Sequence, residues 1–251
     1  MVPLKAFPKC CNQVIFLMAI KTKGSGLRVW RFLKRLFIFL FFFHLFYLLL
    51  LKWVNPPITI TQLSSWVSGE GLKRDYVDYA QMSNYAKIAV VSSEDQLFPE
   101  HNGFDWKSIE KAMEHNEKNP KKIRGASTIS QQVAKNVFLW QGRSWVRKGL
   151  ETYFTFLIEI VWGKKRILEM YLNISEMGEG IYGIEAAARS YFKKPASSLT
   201  RVESAMIAAC LRNPKKYTVK PISKFVSSRY PWVLRQMNNL QSHEGVQALL
   251  Q

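Results

Sequence analysis

Residues 94–105, "EDQLFPEHNGFD", place two adjacent acids, Glu94 and Asp95, next to the apolar pair Leu97 and Phe98. In most sequences two adjacent acids belong to a solvated turn, because Asp and Glu are mostly exposed. The alternative is a carboxylate held in an apolar cleft, where the loss of water raises its pKa and allows it to move a proton near neutral pH. The rest of the chain has to decide between these two interpretations.

A second polar stretch lies downstream at residues 125–136, "GASTISQQVAKN". Its glycine allows a tight entry, and Ser127 or Thr128 is a good cap for a helix that starts here. An exposed polar stripe is common on any surface helix. Hydroxyl, amide and ammonium groups near a helix amino terminus, however, form a good seat for a phosphate or an oxyanion. Spacings of three and four predict that one face of this helix carries Thr128, Gln131, Gln132 and Lys135.

A third stretch, "GRSWVRKGLE" at residues 142–151, brings together three cations, Arg143, Arg147 and Lys148, and the acid Glu151. Because Arg147 and Glu151 are four residues apart, they are predicted to form a helical ion pair worth roughly a few tenths of a kcal/mol. The chemical alternative is a cationic clamp that includes a second carboxylate. Taken alone, neither this stretch nor the preceding one decides the function.

The amino-terminal part of the chain has the composition of a membrane anchor. Eight Lys and Arg residues, with no Asp or Glu among them, precede Leu36, and the run from Leu36 to Leu51 is apolar except for His44. With the apolar residues at its edges, this run reaches the ~20 residues that a bilayer core requires. The small residues of a cleavage site do not follow it, so we predict an uncleaved signal anchor at residues 34–54.

The charge balance points to an anionic partner. The chain has 36 basic and 18 acidic residues, a formal charge of +18, which suits nucleic acid, a membrane surface or a phosphorylated substrate. By the positive-inside rule, residues 1–33 form a basic cytoplasmic tail, and the chain beyond the anchor lies outside the cytoplasm. Cys10 and Cys11 are then separated from Cys210, which argues against a disulfide scaffold or a zinc site.

The remaining sequence predicts a mainly helical outer domain. Residues 55–88 are interpreted as a connector close to the domain, residues 89–241 as the domain itself, and residues 242–251 as a carboxy-terminal tail. No strand alternation or tandem repeat is visible. Helices are predicted around Trp106 to Met113, from Ser127 or Thr128, over residues 145–162, 164–172 and 184–192, and from Thr200, where Glu203 completes a capping box.

Together with "KKRILEMYLN" at residues 164–173, the three stretches occur in an order that resembles the motif series of the family 51 glycosyltransferase domain. This domain is the peptidoglycan glycosyltransferase of bifunctional penicillin-binding proteins and of monofunctional biosynthetic transglycosylases. The likeness covers residues 89–240, and the chain resembles the monofunctional type. It implies a mainly α, lysozyme-like, two-lobed domain behind one amino-terminal transmembrane helix, with a larger lobe and a smaller membrane-embedded jaw.

The resemblance also implies a reaction. The family polymerises glycan chains from lipid II, a disaccharide-peptide on undecaprenyl pyrophosphate, by direct attack of a GlcNAc 4-hydroxyl with inversion at the donor sugar. Glu94 aligns with the general base and Glu151 with the second acid, and Asp95 is expected to position the site. The positions that match substrate-binding residues of the family are Phe98, His101, Ser127, Thr128, Gln131, Gln132, Lys135, Asn136, Arg143, Arg147 and Lys148.

The resemblance leaves two roles open for Glu151. It either orients the neighbouring cations or helps to hold a divalent ion, Mg²⁺ or Mn²⁺, on the pyrophosphate; no organic cofactor is expected. The expected partners are lipid II, the lipid-linked glycan, the membrane and other cell wall synthesis or division proteins, and not nucleic acid. The expected location is the bacterial inner (cytoplasmic) membrane, with a single pass and a cytoplasmic amino terminus.

Two other function classes compete with this interpretation. A membrane-anchored lytic muramidase would also use a glutamate in a lysozyme-like fold, but a neutral glycan needs no cationic clamp. A basic membrane-tethered scaffold or nucleic-acid binder would explain the net charge. It would leave the acids and amides of the four motifs without a role, and the predicted topology separates the domain from nucleic acid.

Overall fold

The computed structural model describes residues 10–120, 122–142 and 144–251, with side chains from Gly26 onward. The chain forms two compact units that divide between Leu50 and Leu51. The first unit is the helix α1 (Cys10–Leu50). Its part from Gly26 to Leu50 has a mean hydropathy of 1.9 and is long and apolar enough to cross a membrane, which is consistent with a single-pass anchor.

The helix α1 ends earlier than the predicted anchor. Its last residue is Leu50, and residues 51–54 form a turn rather than the end of the span. Pro56 and Pro57 follow closely, and the residue before a proline avoids the helical conformation. The helix therefore ends about one turn before residue 54, and the bounds of the membrane span itself stay a prediction.

The second unit is mainly helical, as predicted. The helix at residues 184–192 has the predicted bounds, and Thr200 and Glu203 form the predicted capping box. The helices of the described second unit are α2 (Ile60–Val67), α3 (Asn84–Glu94), α4 (Trp106–Lys118), α5 (Ile129–Phe138), α6 (Trp145–Val161), α7 (Lys164–Ile174), α8 (Ile184–Phe192), α9 (Arg201–Cys210), α10 (Lys224–Leu240) and α11 (Glu244–Leu250).

The helix α3 is the central helix that sequence patterning missed. Residues 86–92 are all buried, so the helix has no polar face and no amphipathic period. It packs against α9 and α10 and ends at Glu94, with Asp95 as its C-cap. The helix also crosses residue 89, where the predicted connector gives way to the predicted domain. The packing of α3 in the core thus places Glu94 and Asp95 together at one helix end.

A small three-stranded sheet joins distant parts of the second unit. The strand β3 (Ile181–Tyr182) pairs in parallel with β1 (Lys73–Arg74) and antiparallel with β2 (Glu176–Gly178). Strands of two or three residues are too short to show alternation, which is why the sequence did not predict them. Gly180 turns the β2–β3 hairpin at a φ of 65°, and a Cβ there would lie 2.3 Å from the carbonyl oxygen of Glu70.

The turn that follows α3 is fixed by a half-buried cation. Lys164, the first residue of α7, places its ammonium 4.6 Å from the ring centre of Phe98 and donates a hydrogen bond of 2.5 Å to the carbonyl of His101. It also pairs with Glu159 of α6 at 2.8 Å, which accepts a hydrogen bond from Ser130 of α5. Three helices therefore hold the first motif in one conformation.

Candidate active site

Glu94 lies where the core helix α3 ends. The residue is half-buried, and protein atoms surround its carboxyl closely enough that burial raises the pKa of Glu94 above its usual range. The hydrogen bond from Gln132 Nε2 to Glu94 Oε2, 3.0 Å long, opposes this rise in pKa, as do a hydrogen bond from Ser93 and the positive charge of Arg229. A partly desolvated carboxylate held by ordered donors is suited to accept a proton.

Asp95 is fully engaged inside the protein. Both its carboxylate oxygens lie 3.0 Å from His101 Nε2, and Oδ2 also accepts a 2.9 Å hydrogen bond from the backbone nitrogen of Ile129. The other ring nitrogen of His101 accepts from the backbone of Gly103, so Nε2 carries the proton that is donated to Asp95. Because Ile129 is the first residue of α5, Asp95 ties the end of α3 to the start of α5.

A first cleft of about 530 Å³ opens beside Glu94. The amino-terminal end of α5 and its preceding loop form one wall, and α4 contributes to another. The cleft carries charges of both signs, since two basic side chains face the three acids. Among its lining residues are Glu94, Asp95, Asp105, Lys111, Arg124, Ser127 and Thr128.

A second cleft of about 410 Å³ lies on the other side of Gln132. Lys135 and Asn136 of α5 line one wall, and the serine side of α2 lines the opposite wall. Gln132 lines this cleft and donates to Glu94, which lines the first cleft. The bond between these two side chains therefore joins the two clefts. Further lining residues of the second cleft include Ser64, Glu70, Tyr171, Glu176 and Lys215.

Tyr171 is a site residue that sequence reasoning missed. Its hydroxyl lies 3.3 Å from Gln132 Oε1, to which it donates, while Gln132 Nε2 donates to Glu94. Burial raises the pKa of Tyr171 well above its usual range, so the hydroxyl keeps its proton. The residue stands inside "KKRILEMYLN", but a fully buried tyrosine on a helix is indistinguishable in sequence from an ordinary core residue.

Lys135 is a cation in the second cleft without a direct partner. Among the residues that the structure describes, its ammonium has no hydrogen bond or ion pair. Burial lowers the pKa of Lys135, the nearby Arg147 and Lys148 lower it further, and Glu151 opposes them. An unpaired, partly buried ammonium is costly to keep and is suited to bind an anion.

Glu151 pairs with two cations, as its helical spacing predicts. Its Oε2 accepts from Arg147 at 2.9 Å, and its Oε1 accepts from Lys148 at 2.6 Å. Glu151 is 3% exposed, and the Arg147 Nε atom is buried without a hydrogen-bond partner. Both carboxylate oxygens of Glu151 are therefore occupied by cations.

Comparison with known proteins agrees with this arrangement. The family described as Transglycosylase matches residues 60–238, well over half of the chain. The chain belongs to this family. Two of its relatives, from Escherichia coli strain Crooks and Shigella boydii serotype 4, are each named biosynthetic peptidoglycan transglycosylase. Both are 57% identical over 182 residues, which cover 71% of this chain and 75% of the relative.

The transglycosylase motifs do not all face the clefts in the way their spacing suggests. Thr128 and Gln131 form a capping box at the start of α5, and the side chain of Gln131 is buried there. Gln132 and Lys135 instead line the second cleft. The four side chains therefore do not enter one cleft together, because the capping box engages Thr128 and Gln131 at the start of the helix.

Several other predicted substrate-binding residues of the transglycosylase motifs have clear locations. Ser127 is exposed in the first cleft, and Asn136 lines the second. Phe98 is 0% exposed and His101 is held by Asp95, so both support the site from beneath rather than lining it. Arg143 lies outside the described residues.

The transglycosylase site does not fit a metal held by Glu151. Both its oxygens are engaged by cations, and Lys135 adds a third positive charge nearby. Among the residues that the structure describes, no group of three or more His, Cys, Asp or Glu side chains is placed to hold a metal ion. The donor set around Glu151 instead suits an anion.

Proposed function

We propose that this protein polymerises the glycan chains of peptidoglycan. In this reaction it transfers the lipid-linked growing glycan onto the GlcNAc 4-hydroxyl of lipid II, with inversion, and releases undecaprenyl pyrophosphate. Membership of the transglycosylase family supports this activity. The observation that carries it is the position of Glu94, whose carboxylate lines the first cleft and is hydrogen-bonded to the wall of the second cleft.

The two clefts suit the two substrates. A general base must reach the proton that it removes, within about 3 Å, so the acceptor GlcNAc hydroxyl belongs in the first cleft beside Glu94. The departing pyrophosphate requires positive charge, and Lys135 supplies it in the second cleft. The donor glycan therefore occupies the second cleft, with its reacting carbon near the bond between Gln132 and Glu94.

The cations perform the electrostatic part of the reaction. The leaving group is a pyrophosphate, which departs without being protonated if its developing charge is neutralised. Among the described residues the ammonium of Lys135 has no direct partner, and Arg147 and Lys148 lie close enough to lower its pKa. Preorganised donors of this kind cost no rearrangement during the reaction and act strongly in a partly desolvated site. Direct attack by the acceptor then gives inversion without a covalent intermediate.

We propose that Glu151 orients these cations. One carboxylate that bridges Arg147 and Lys148 fixes two flexible side chains beside the second cleft. This role predicts that Glu151→Gln changes the rate at every Mg²⁺ or Mn²⁺ concentration by a similar factor. A loss that additional metal restores would instead assign Glu151 to metal binding.

The proposed setting is the inner membrane of a bacterium, with the amino terminus in the cytoplasm and the domain outside. Lipid II and the lipid-linked glycan are membrane substrates, so the domain must work at the bilayer surface. Exposed apolar residues along α6, including Trp145, Phe156 and Ile160, are consistent with a membrane-embedded jaw. Other cell wall synthesis or division proteins are proposed partners on the same grounds, and nucleic acid is not.

One assay tests the proposed function. The purified protein is incubated with lipid II and Mg²⁺, and the glycan products are separated by length. Polymeric glycan is the expected product, and Glu94→Gln is the matched inactive control. Shortening of preformed glycan would indicate a lytic muramidase, and an absence of any product from the folded protein would contradict both enzymes.

A further inference from the structure

The helix α2 carries an apolar face that the described residues leave open to solvent. Ile60 and Leu63 are each 42% exposed, Trp66 is 61% exposed and Val67 is 78% exposed. Spacings of three and four place these side chains together on one side of the helix. A contiguous apolar face of this kind on a water-exposed domain marks a site of contact with another apolar surface.

The opposite face of α2 is fixed to the domain, so the helix cannot roll to hide its apolar side. Thr59 and Gln62 form a capping box and are both buried. Ser65 accepts a 2.6 Å hydrogen bond from Tyr182 of β3 and donates a 2.5 Å hydrogen bond to Glu70. Turning the helix would break these buried hydrogen bonds, each of which is costly to leave unmade.

Only a short segment of sequence separates α2 from the predicted span. Nine residues, 51–59, connect the last residue of α1 with the first residue of α2, and nine residues reach at most about 30 Å. Within this segment Trp53 is 69% exposed and Val54 is 50% exposed. Tryptophan is enriched where a membrane meets water, because its ring is apolar and its N–H is polar.

The apolar surface continues beyond α2. Gln141 donates a 2.8 Å hydrogen bond to Thr61 of α2, and the neighbouring Trp140 is 47% exposed. Thr61 and Gln141 both line the second cleft. Exposed apolar residues are therefore adjacent, on two separate segments, to residues of the second cleft.

We propose that α2 lies in the membrane interface, with Ile60, Leu63, Trp66 and Val67 among the lipids and its serine side facing the second cleft. A lipid bilayer suits this face better than a protein groove does, because the short tether keeps α2 at high local concentration near a bilayer. Trp53 also precedes the face in sequence, and Trp66 is part of it. An amphipathic helix of this kind buries its apolar side about 5–10 Å into the interface.

This placement deepens the proposed function and rests on it in one respect. If the second cleft holds a lipid-linked donor, α2 brings its mouth to the bilayer surface, so the donor reaches Lys135 without leaving the membrane. The placement of α2 itself does not depend on the reaction. It can therefore be tested without measuring turnover.

The test uses nitroxide labels on the full chain in vesicles of phosphatidylcholine and phosphatidylglycerol. Cys10 and Cys11 are replaced by serine, while Cys210 is retained, because it is fully buried and burial raises the pKa of its thiol to about 12. Single labels are placed by Leu63→Cys, Val67→Cys and, as the control at the edge of the same helix that lines the second cleft, Ser64→Cys. Collision rates are measured with oxygen, which concentrates in the bilayer, and with a water-soluble nickel chelate.

Labels at positions 63 and 67 are expected to collide with oxygen several-fold more, relative to nickel, than the label at position 64. Similar nickel contact at all three positions would place α2 in water and overturn the proposal. Oxygen-rich collisions at all three positions would mean that the serine side is also buried in lipid, which would equally overturn the proposal.

A second measurement separates this proposal from the proposed function. The double variant Leu63→Ser, Trp66→Ser is expected to lose turnover of lipid II several-fold in vesicles and to keep it in detergent micelles. Equal turnover in vesicles would contradict the role of α2 at the cleft mouth. If the unmodified protein makes no glycan in either setting, the proposed function fails, while the labels still decide where α2 lies.

Discussion

At the scale of single residues, the amide of Gln132 has one useful orientation. It must turn its Nε2 donor towards Glu94 when that carboxylate is ionised, because its oxygen would repel the charge. Tyr171 keeps a proton and donates to the amide oxygen, which favours this orientation. The tyrosine is thus a positioning residue for the general base, acting through one intervening side chain.

The base itself is tested by Glu94→Gln. The amide is nearly isosteric with the carboxylate but cannot accept the acceptor's proton, so turnover of lipid II is expected to fall roughly 10² to 10⁴-fold. The thermal unfolding temperature and the circular dichroism spectrum serve as controls for the fold. Near-normal turnover by the folded variant would remove Glu94 from the role of base.

The tyrosine is tested by the pH dependence of Tyr171→Phe. The base works only when ionised, and the Gln132 donor lowers the pKa of Glu94, as does Arg229. Weakening this donor raises the pKa of Glu94, so the acid limb of kcat/KM is expected to move to higher pH, with the rate recovering above it. The other ionisable groups that face Glu94 are Asp95 and Cys210, and the variant leaves both unchanged.

Tyr191→Phe is the matched control for this measurement. The hydroxyl of Tyr191 also donates a hydrogen bond inside the domain, to the carbonyl of Met177 at 2.9 Å, and it does not contact Gln132. The control is expected to keep the wild-type pH profile. Identical profiles for both tyrosine variants would show that Tyr171 only fills space.

Lys135 distinguishes an anion site from general basic charge. Lys135→Ala is expected to lose on the order of 10²-fold or more in rate, far beyond the ~1 kcal/mol of a surface ion pair. Lys135→Arg is expected to restore the rate only in part, because a planar guanidinium does not replace the compact charge of an ammonium. The measurement is turnover at saturating lipid II and fixed salt.

Lys122→Ala is the control for Lys135. Lys121, its neighbour in the same loop, lies outside the described residues, whereas Lys122 is described and exposed. A small change at Lys122 with a large loss at Lys135 supports the anion site. Similar small losses at both lysines would reduce the second cleft to a generally basic surface.

At the scale of elements, the start of α5 is the most heavily fixed helix end of the site. The backbone nitrogen of Ile129 bonds to Asp95, the nitrogen of Gln131 bonds to the Thr128 hydroxyl, and that hydroxyl donates to Gly103. Negative charge at a helix amino terminus is stabilising. This helix end positions Gln132 and Lys135, so its rigidity is transmitted to both clefts.

Asp95→Asn tests this role. The amide keeps the size but loses the charge that faces His101 and the α5 terminus, so the free energy of unfolding is expected to fall by about 1 to 3 kcal/mol. Turnover should fall as well, because α5 carries Lys135. Chemical denaturation measures the first effect and the lipid II assay the second.

The control is Asp78→Asn, an exposed aspartate whose side chain makes no capping hydrogen bond. Its effect on the free energy of unfolding is expected to stay within about 0.5 kcal/mol. Equal stability losses at both positions would mean that the charge of Asp95 contributes nothing specific to α5.

The same elements show how far the sequence could predict the structure. Helices with caps and one apolar face, such as α8 and α9, were predictable because both signals are local. The helix α3 was not, because its burial on all sides removes the period, and β1 to β3 were not, because pairing over long distances leaves no local trace. Within the site, Glu94 and Lys135 follow from motif chemistry, whereas the location of Phe98 in the core depends on the packing of Lys164 against its ring.

At the scale of the whole molecule, the basic amino terminus predicts an orientation that can be measured. A reporter that is active only outside the cytoplasm is expected to be active when fused after Gln251 and silent when fused near Lys23. The reversed pattern would place the domain in the cytoplasm. It would also separate the active site from an extracytoplasmic substrate.

The pairing of β1 with β3 has a consequence for the order in which the protein folds. Lys73 pairs with Ile181, 108 residues further along the chain, and at 5–20 residues per second their synthesis is separated by roughly 5 to 20 s. During that interval α2 has been made, but Tyr182, which holds Ser65, has not. The α2 wall of the second cleft is therefore not held in place until the hairpin emerges, and the cleft is completed only when Leu211, Pro214 and Lys215 follow it.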